Sequence, residues 1–402
     1  MSLTAESPTT VINQTNSYPH NAIADERLTV AFGYDGNLAY NSGVSNYVLT
    51  LGNYLTGRGH DVHYFVARTE VDEPNTHVLA KTVNIPSNGS VYPQALPARR
   101  KFVEEVFDDV KPDIFHSQLP FQPFVTGHGV HCIGPEVAKV GTFHTLAETT
   151  VSKAYTWAMA RFIRKSLADF DTTFAATAPL QEQVKHYFDI EPARLALPVN
   201  VEKLSSGVKM PEYDDDRINL VFIGRLDPRK GCQNLLGALS LLNKDTIGQI
   251  RLLVAGDGPL RKELQAASYK NGLDNTVTFL GNVTPEEKPD ILATSDIAIF
   301  PATKSESFGL VIAEALAGTS GIVVGGDNPG YRSVLEDQRE ALFDPTSPAS
   351  MSVFIKNLIH NDTLRDKIRS RQQTLVANYD IKTIGPIIED TYIQSVNKRR
   401  RV

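Results

Sequence analysis

Ile297-Ala-Ile-Phe300-Pro-Ala-Thr-Lys-Ser-Glu306-Ser-Phe-Gly309-Leu-Val-Ile-Ala-Glu314-Ala-Leu-Ala-Gly318 is the stretch that says most about this chain. A short β-branched and aromatic run ends at Phe300. A polar loop follows, and an apolar helical pattern opens near Gly309. This is a strand–loop–helix unit of the kind that builds parallel α/β sheets. A helix start offers unpaired backbone N–H groups and the positive end of its dipole, which suit a phosphate. Glycine at 309 lets the backbone approach a ligand closely. Glu306 in the loop and Glu314 in the helix flank the turn. Carboxylate oxygens accept hydrogen bonds from polyhydroxyl groups. A helix cap plus a solvated helix charge is the plainer reading of the same pair.

The same unit recurs on both sides. Strand patterns fall at 218–223, 250–255, 276–280, 297–300 and 321–324, with helical patterns between them and Pro259 and Pro285 at expected first-turn positions. An earlier series has strands at 28–32, 60–65, 114–116, 140–144 and 172–176, and a helix over 44–57. Such alternation predicts two doubly wound α/β domains with a cleft at the carboxyl ends of both sheets, where ligands bind in open folds. The expected division is a disordered tail over 1–26, a domain over 27–204, a linker over 205–217, a second domain over 218–380, and a closing helix with a basic tail over 381–402. The linker reading rests on polar composition, Pro211 and the Asp214–Asp216 run, read as a solvated acidic turn rather than a metal site.

Composition narrows the function. Lys and Arg number 40 against 46 Asp and Glu, a net charge of −6, so nucleic acid is not the expected main partner. Cys132 and Cys232 have no metal-ligand or CxxC spacing and read as reduced thiols. Residues 1–26 lack the apolar stretch of a secretory signal, and 309–326 is a poor membrane span because it carries Glu314 and small residues. A cytoplasmic protein is expected. A P-loop and a G-x-S-x-G elbow are both missing. Gly256-Asp-Gly258 is only a fragment of a dinucleotide fingerprint.

Three other segments face the expected cleft. Gly224-Arg225-Leu-Asp-Pro-Arg229-Lys230-Gly231 leaves the first strand of the second domain. Arg225 and Lys230 there could neutralise a diphosphate and stabilise charge on a departing one. Arg229 is the weaker candidate, expected to face water. Asn41-Ser42-Gly43-Val44 opens a helix whose start can meet phosphate. His144 ends a strand and could bond a sugar hydroxyl.

Together these segments resemble the family 4 retaining glycosyltransferases, which have two Rossmann-like domains in the architecture called GT-B. The resemblance runs from Leu28 onward. It rests on the Gly-Arg…Lys-Gly loop, Val254-Ala-Gly256-Asp-Gly-Pro259, Phe279-Leu-Gly281 and the Glu306/Glu314 pair. A narrower likeness is to phosphatidylinositol mannosyltransferases. It is carried by Ser87-Asn88-Gly89-Ser90-Val91, Gly141-Thr-Phe-His144-Thr145 and Asp227-Pro-Arg-Lys-Gly231. Ser42-Gly43 stands where that family has Gly-Gly, and Asn328-Pro-Gly-Tyr331 falls outside its pattern.

The resemblance implies catalytic roles for Arg225, Lys230, Glu306 and His144. Arg225 and Lys230 hold the donor diphosphate, Glu306 the sugar hydroxyls, and His144 the sugar near its C6 hydroxyl or the reacting centre. It implies substrate-binding roles for Gly43, Ser87, Asn88, Val283, Lys288, Phe308, Gly309, Leu310 and Glu314. Among these, Phe308, Gly309 and Leu310 act through backbone N–H groups, Glu314 bonds the ribose, and Val283 and Lys288 lie near the base. It also implies retention of anomeric configuration, a nucleotide-sugar (GDP-mannose or a UDP-sugar) as substrate, and neither cofactor nor metal.

A lipid acceptor such as phosphatidylinositol calls for a membrane-facing patch on the inner face of the cell membrane. Residues 97–110 predict a helix with Phe102, Val103, Val106 and Phe107 near one face and Arg99, Arg100 and Lys101 at its start. Arg161, Arg164, Lys165 and 398–401 add charge. An ordinary core helix with solvated charges is the rival reading. The rival functions are a UDP-sugar enzyme acting on diacylglycerol or a polysaccharide, a non-catalytic sugar-nucleotide binder, and a sugar-nucleotide epimerase.

Overall fold

The computed structural model describes residues 26–38, 42–70, 73–87, 90–97, 99–122, 125–304 and 306–401. The tail expectation over 1–26 lies outside the described residues except for Glu26, and Asn88 lies outside them too.

Two parallel sheets form the molecule. The first holds β1 (Thr29–Asn37), β2 (Asp61–Arg68) and β3 (Thr76–Val78). A separate antiparallel hairpin of β4 (Thr82–Ser87) and β5 (Ser90–Ala95) follows. The sheet then continues with β6 (Ile114–Gln118), β7 (Ala138–Phe143), β8 (Thr172–Ala175) and β9 (Ala193–Arg194). Its spatial order is β3-β2-β1-β6-β7-β8-β9. The second sheet is built from β10 (Ile218–Ile223), β11 (Ile250–Ala255), β12 (Val277–Gly281), β13 (Ile297–Phe300), β14 (Ile322–Gly326) and β15 (Leu342–Phe343), in the order β12-β11-β10-β13-β14-β15. Central strands such as β11 and β13 are buried at every residue. That is why they read as unbroken apolar runs rather than alternating ones.

In each sheet the order reverses once, between β1 and β6 and between β10 and β13. A crevice opens at the carboxyl ends of such a pair. The loops leaving β10 and β13 are the Arg225–Lys230 and Glu306 segments, so the fold places both at the switch point of the second sheet.

The chain passes from one sheet to the other between Leu195, whose N–H bonds Ala175 O, and Val199, whose N–H bonds Tyr379 O. Residues 205–217, read from sequence as a linker, run along the second sheet. Val208 N bonds the Asp290 carboxylate and Met210 N bonds Thr294 Oγ1. The acidic run is not merely solvated, because Asp215 pairs at 2.6 Å with the buried Arg251.

The last helix, Ile381–Arg399, returns to the first sheet. The terminal cations, read from sequence as a basic tail, fasten it. Arg399 bonds Asp171 and Asp169, Lys398 pairs with Asp171, and Arg400 pairs with Asp113 and Glu26. Pro259 and Pro285 precede their helices, which begin at Arg261 and Lys288. Pro289 takes the first-turn place instead.

The predicted 97–110 helix spans Arg100–Val110. Val103 and Phe107 pack with Phe65 and Phe115 in the core of the first sheet, and Phe102 alone of the four apolar residues is exposed. The apolar face is therefore spent on the core.

Candidate active site

A cavity of about 870 Å³ lies between the two lobes, lined by residues of the second lobe and by Ser42, Gly43 and Asn46 at a helix start of the first. The turn after β10 is built locally. Asp227 caps a short 3₁₀ turn, Pro228–Lys230, by accepting from Lys230 N at 3.1 Å. The turn is then tied to the loop after β13, since Thr303 N donates to Arg229 O at 3.0 Å. This zipper delivers two cations to one carboxylate. Glu306 Oε1 accepts from Arg229 Nη1 at 2.6 Å and from Lys230 Nζ at 2.7 Å. Arg229, expected to face water, is therefore a full member of the site. Arg225 also lines the cavity, with its guanidinium 3.7 Å from the buried Asp227 carboxylate.

Glu314 lies one turn into the helix Leu310–Gly318. Its Oε1 accepts from Lys288 Nζ at 2.9 Å and from Asn46 Nδ2 at 3.2 Å. Asn46 belongs to the helix Gly43–Gly57 of the first sheet, so this bond crosses the cleft. A second crossing point is Ser307. Its Oγ accepts from Leu146 N at 2.7 Å, and its carbonyl accepts from Thr177 Oγ1 at 3.1 Å.

Gly309 introduces that helix at φ +90°, and a Cβ there would lie 2.5 Å from the Tyr331 ring. Only glycine fits such a position without strain. Gly256, at the end of β11, is pressed against Gly224 O, 1.9 Å from where a Cβ would stand. The floor of the cavity is thus backbone packed on backbone.

The structure gathers Gly43, Arg225, Lys230, Val283, Lys288, Glu306, Leu310 and Glu314 around one space. Phe308 and Gly309 are not among the lining residues. The Phe308 ring packs on Tyr379 in the core, and its backbone N lies against Gly330. That contact gives the Asn328-Pro-Gly-Tyr331 segment its role: Gly330 and Tyr331 back the Glu306–Gly309 loop. Ser87 ends a hairpin strand. His144 is not in the lining either. It is buried at the end of β7, where Nε2 contacts Gln118 Oε1 at 2.7 Å. Burial lowers its pKa to about 3, so the ring is neutral. Asn46, Ser307 and Gln118 carried no signal in the sequence, because a lone polar residue on a helix, loop or strand is common.

Among the described residues, no group of three or more His, Cys, Asp or Glu side chains is placed to hold a metal ion. No described helix is long and apolar enough to cross a membrane. The arrangement offers a diphosphate three cations, and offers polyols a buried carboxylate, Glu306, and a half-buried one, Glu314.

Comparison with known proteins agrees with this layout. Residues 209–374 match the family model described as glycosyl transferases group 1, and residues 41–197 match that of glycosyltransferase family 4. A phosphatidyl-myo-inositol mannosyltransferase of Mycobacterium leprae is 29% identical over 358 residues, covering 87% of this chain and 92% of the relative. A D-inositol 3-phosphate glycosyltransferase of Corynebacterium efficiens is 25% identical over 372 residues, covering 80% and 83%. Among solved structures, sucrose-phosphate synthase from Thermosynechococcus elongatus superposes with a TM-score of 0.70 at 17% identity, covering 92% of this chain and 99% of that one. Anabaena Alr3699/HepE in complex with UDP-glucose gives 0.68 at 17% identity, covering 92% and 100%. These two likenesses establish the two-lobed α/β architecture.

Proposed function

Since this chain belongs to the family 4 glycosyltransferases and has their GT-B fold, we propose that it transfers mannose from GDP-mannose to phosphatidylinositol with retention of configuration. The observation that carries the reading is the convergence of Arg225, Arg229 and Lys230 with Glu306 and Glu314 on one cavity between the lobes. The names of the mannosyltransferase relatives support the sugar and the acceptor.

In this reading the diphosphate takes Arg225, Arg229 and Lys230, and the sugar hydroxyls take the Glu306 oxygens those cations release. Glu314 holds the ribose, steadied by Lys288 and Asn46. The acceptor hydroxyl attacks the anomeric carbon on the face the diphosphate leaves. The new C–O bond forms as the old one breaks, and the departing phosphate oxygen receives the acceptor proton. The cations stabilise the charge that develops there. Cleft contacts at Ser307 and Asn46 keep water out.

The lipid is met at a face of the first lobe. Arg99, Arg100 and Lys101 are exposed at the start of one helix. The helix Thr150–Leu167 adds Arg161, Arg164 and Lys165 and exposes Val151, Tyr155, Trp157 and Phe162. The two helices are linked through the helix Val125–Cys132, where His131 bonds Ser166 at 3.2 Å and Cys132 interacts with Arg100. Basic side chains near an anionic leaflet contribute about 1 kcal/mol each.

The test is incubation with GDP-mannose or UDP-glucose and phosphatidylinositol vesicles, followed by mass spectrometry of the lipid and NMR of the anomeric proton. A mannolipid with the donor's configuration is expected. Glucosylation from UDP-glucose alone would defeat the mannose assignment, and an inverted product would defeat retention.

A further inference from the structure

Gln118, the last residue of β6, is fully buried and does not line the cavity. Its amide is oriented by its neighbours. Nε2 lies 3.4 Å from the His116 carbonyl oxygen, which can only accept. The amide oxygen therefore faces His144, 2.7 Å from the ring Nε2. An amide oxygen also only accepts, so His144 Nε2 carries a proton.

The ring is 8% exposed and holds one proton. Nδ1 is thus a bare lone pair, buried and without a hydrogen-bond partner among the described residues. A buried acceptor left unpaired is costly, and such atoms are few in native proteins. Its neighbour His116 has partners on both nitrogens, Tyr392 and Thr142. His144 stands just past Phe143, at the carboxyl end of β7 and so at the cleft end of the first sheet. The ring packs edge-on against Tyr47 with centroids 5.0 Å apart, and two residues later Leu146 N bonds Ser307 of the opposite lobe.

We propose that Gln118 is a positioning residue that holds His144 in the Nε2–H tautomer, which makes His144 Nδ1 the acceptor for a hydroxyl of the bound sugar. The inference rests on the glycosyl-transfer reading for the identity of the ligand, but not for the tautomer. A sugar lacking that hydroxyl leaves Nδ1 unpaired and is a poor substrate. Gln118 touches no reacting atom and acts only by fixing which face of the imidazole accepts.

The experiment is side-chain nitrogen NMR of the full-length, ligand-free protein, with the His144 signals assigned by their loss in His144→Gln. Nε2 of the pyrrole type and Nδ1 of the pyridine type are expected. Gln118→Met keeps the volume but removes the acceptor. The expected result is a mixture of tautomers and a kcat/KM about tenfold lower with GDP-mannose and phosphatidylinositol vesicles, with thermal unfolding as the folding control. Gln118→Glu keeps an acceptor and adds a negative charge, which favours protonated His144. Its rate should then fall with decreasing pH in a range where the wild-type rate is flat. A protonated Nδ1 in the wild-type spectrum overturns the proposal, as does wild-type tautomer and rate in Gln118→Met. Failure of the wild-type enzyme to use GDP-mannose would sink the donor assignment, while the spectrum still decides the tautomer.

Discussion

Glu306 is the most informative single residue, because one of its oxygens accepts from two adjacent cations. Their sequence neighbourhood could not show that both point inward. Consecutive residues on a strand or helix face different ways, but the 3₁₀ turn Pro228–Lys230 and the left-handed Gly231 behind it bend the chain so that both side chains reach one carboxylate. Lys230→Ala should lower kcat about 100-fold, the usual scale for losing a group that meets developing charge. Arg229→Ala should fall within a few fold of it. Steady-state rates with the donor and acceptor proposed above decide this, and a near-silent Arg229→Ala would return that residue to the solvent role its position first suggests. Gly309→Ala is a separate test of the loop. It strains a φ of +90° and drives a methyl into Tyr331, so a loss of about 1–3 kcal/mol is expected by denaturant titration. The carboxylate pair, Arg225 and Lys230 were legible because their types and spacing make a pattern. Asn46, Ser307 and Gln118 were not, because each works only through a partner distant in sequence.

At the scale of elements, strands buried on both faces announced themselves as apolar runs. The short edge pieces β3, β9 and β15 did not, since two or three residues carry no periodicity. The return of the last helix was equally hidden, because what fastens it is tertiary. Glu389 on that helix is buried and accepts from Tyr54, Arg58 and His60 of the first lobe. His60 Nδ1 accepts from Leu28 N, so its Nε2 donates to the carboxylate. Burial pushes the Glu389 pKa up, but bonds from His60, Tyr54 and Arg58 outweigh it, and the net direction is down. A carboxylate with a depressed folded pKa adds stability above its unfolded value of about 4.3, and that share is lost as pH falls through the folded value. Glu389→Gln should therefore lower the melting temperature at pH 7 by on the order of 5 °C. The gap from wild type should narrow steadily as the pH is taken below 4. A gap independent of pH would mean the side chain acts by shape alone.

The whole molecule joins two lobes by two chain crossings and a line of hydrogen bonds across the cleft, and it turns one side of the first lobe outward as the proposed docking face. On that face Val151 and Phe162 are each 80% exposed, eleven residues apart and so on one side of their helix, with Tyr155 between them. A soluble surface has little reason to line up large apolar side chains beside Arg161 and Lys165 unless something apolar and anionic meets them. The chain's one tryptophan, Trp157, stands on the same helix, 57% exposed, with Arg161 5.5 Å above its ring. It is a built-in reporter. On adding phosphatidylglycerol vesicles its emission should shift to shorter wavelength as the indole leaves water. Neutral phosphatidylcholine vesicles should produce much less shift. Raising the ionic strength to 1 M shortens the screening length to about 3 Å and should reverse most of the effect. Phe162→Ser should weaken binding without changing the salt dependence, whereas Arg161→Gln with Lys165→Gln should weaken both. Emission that ignores anionic vesicles would separate this helix from the membrane and leave the acceptor to be met by the cleft alone.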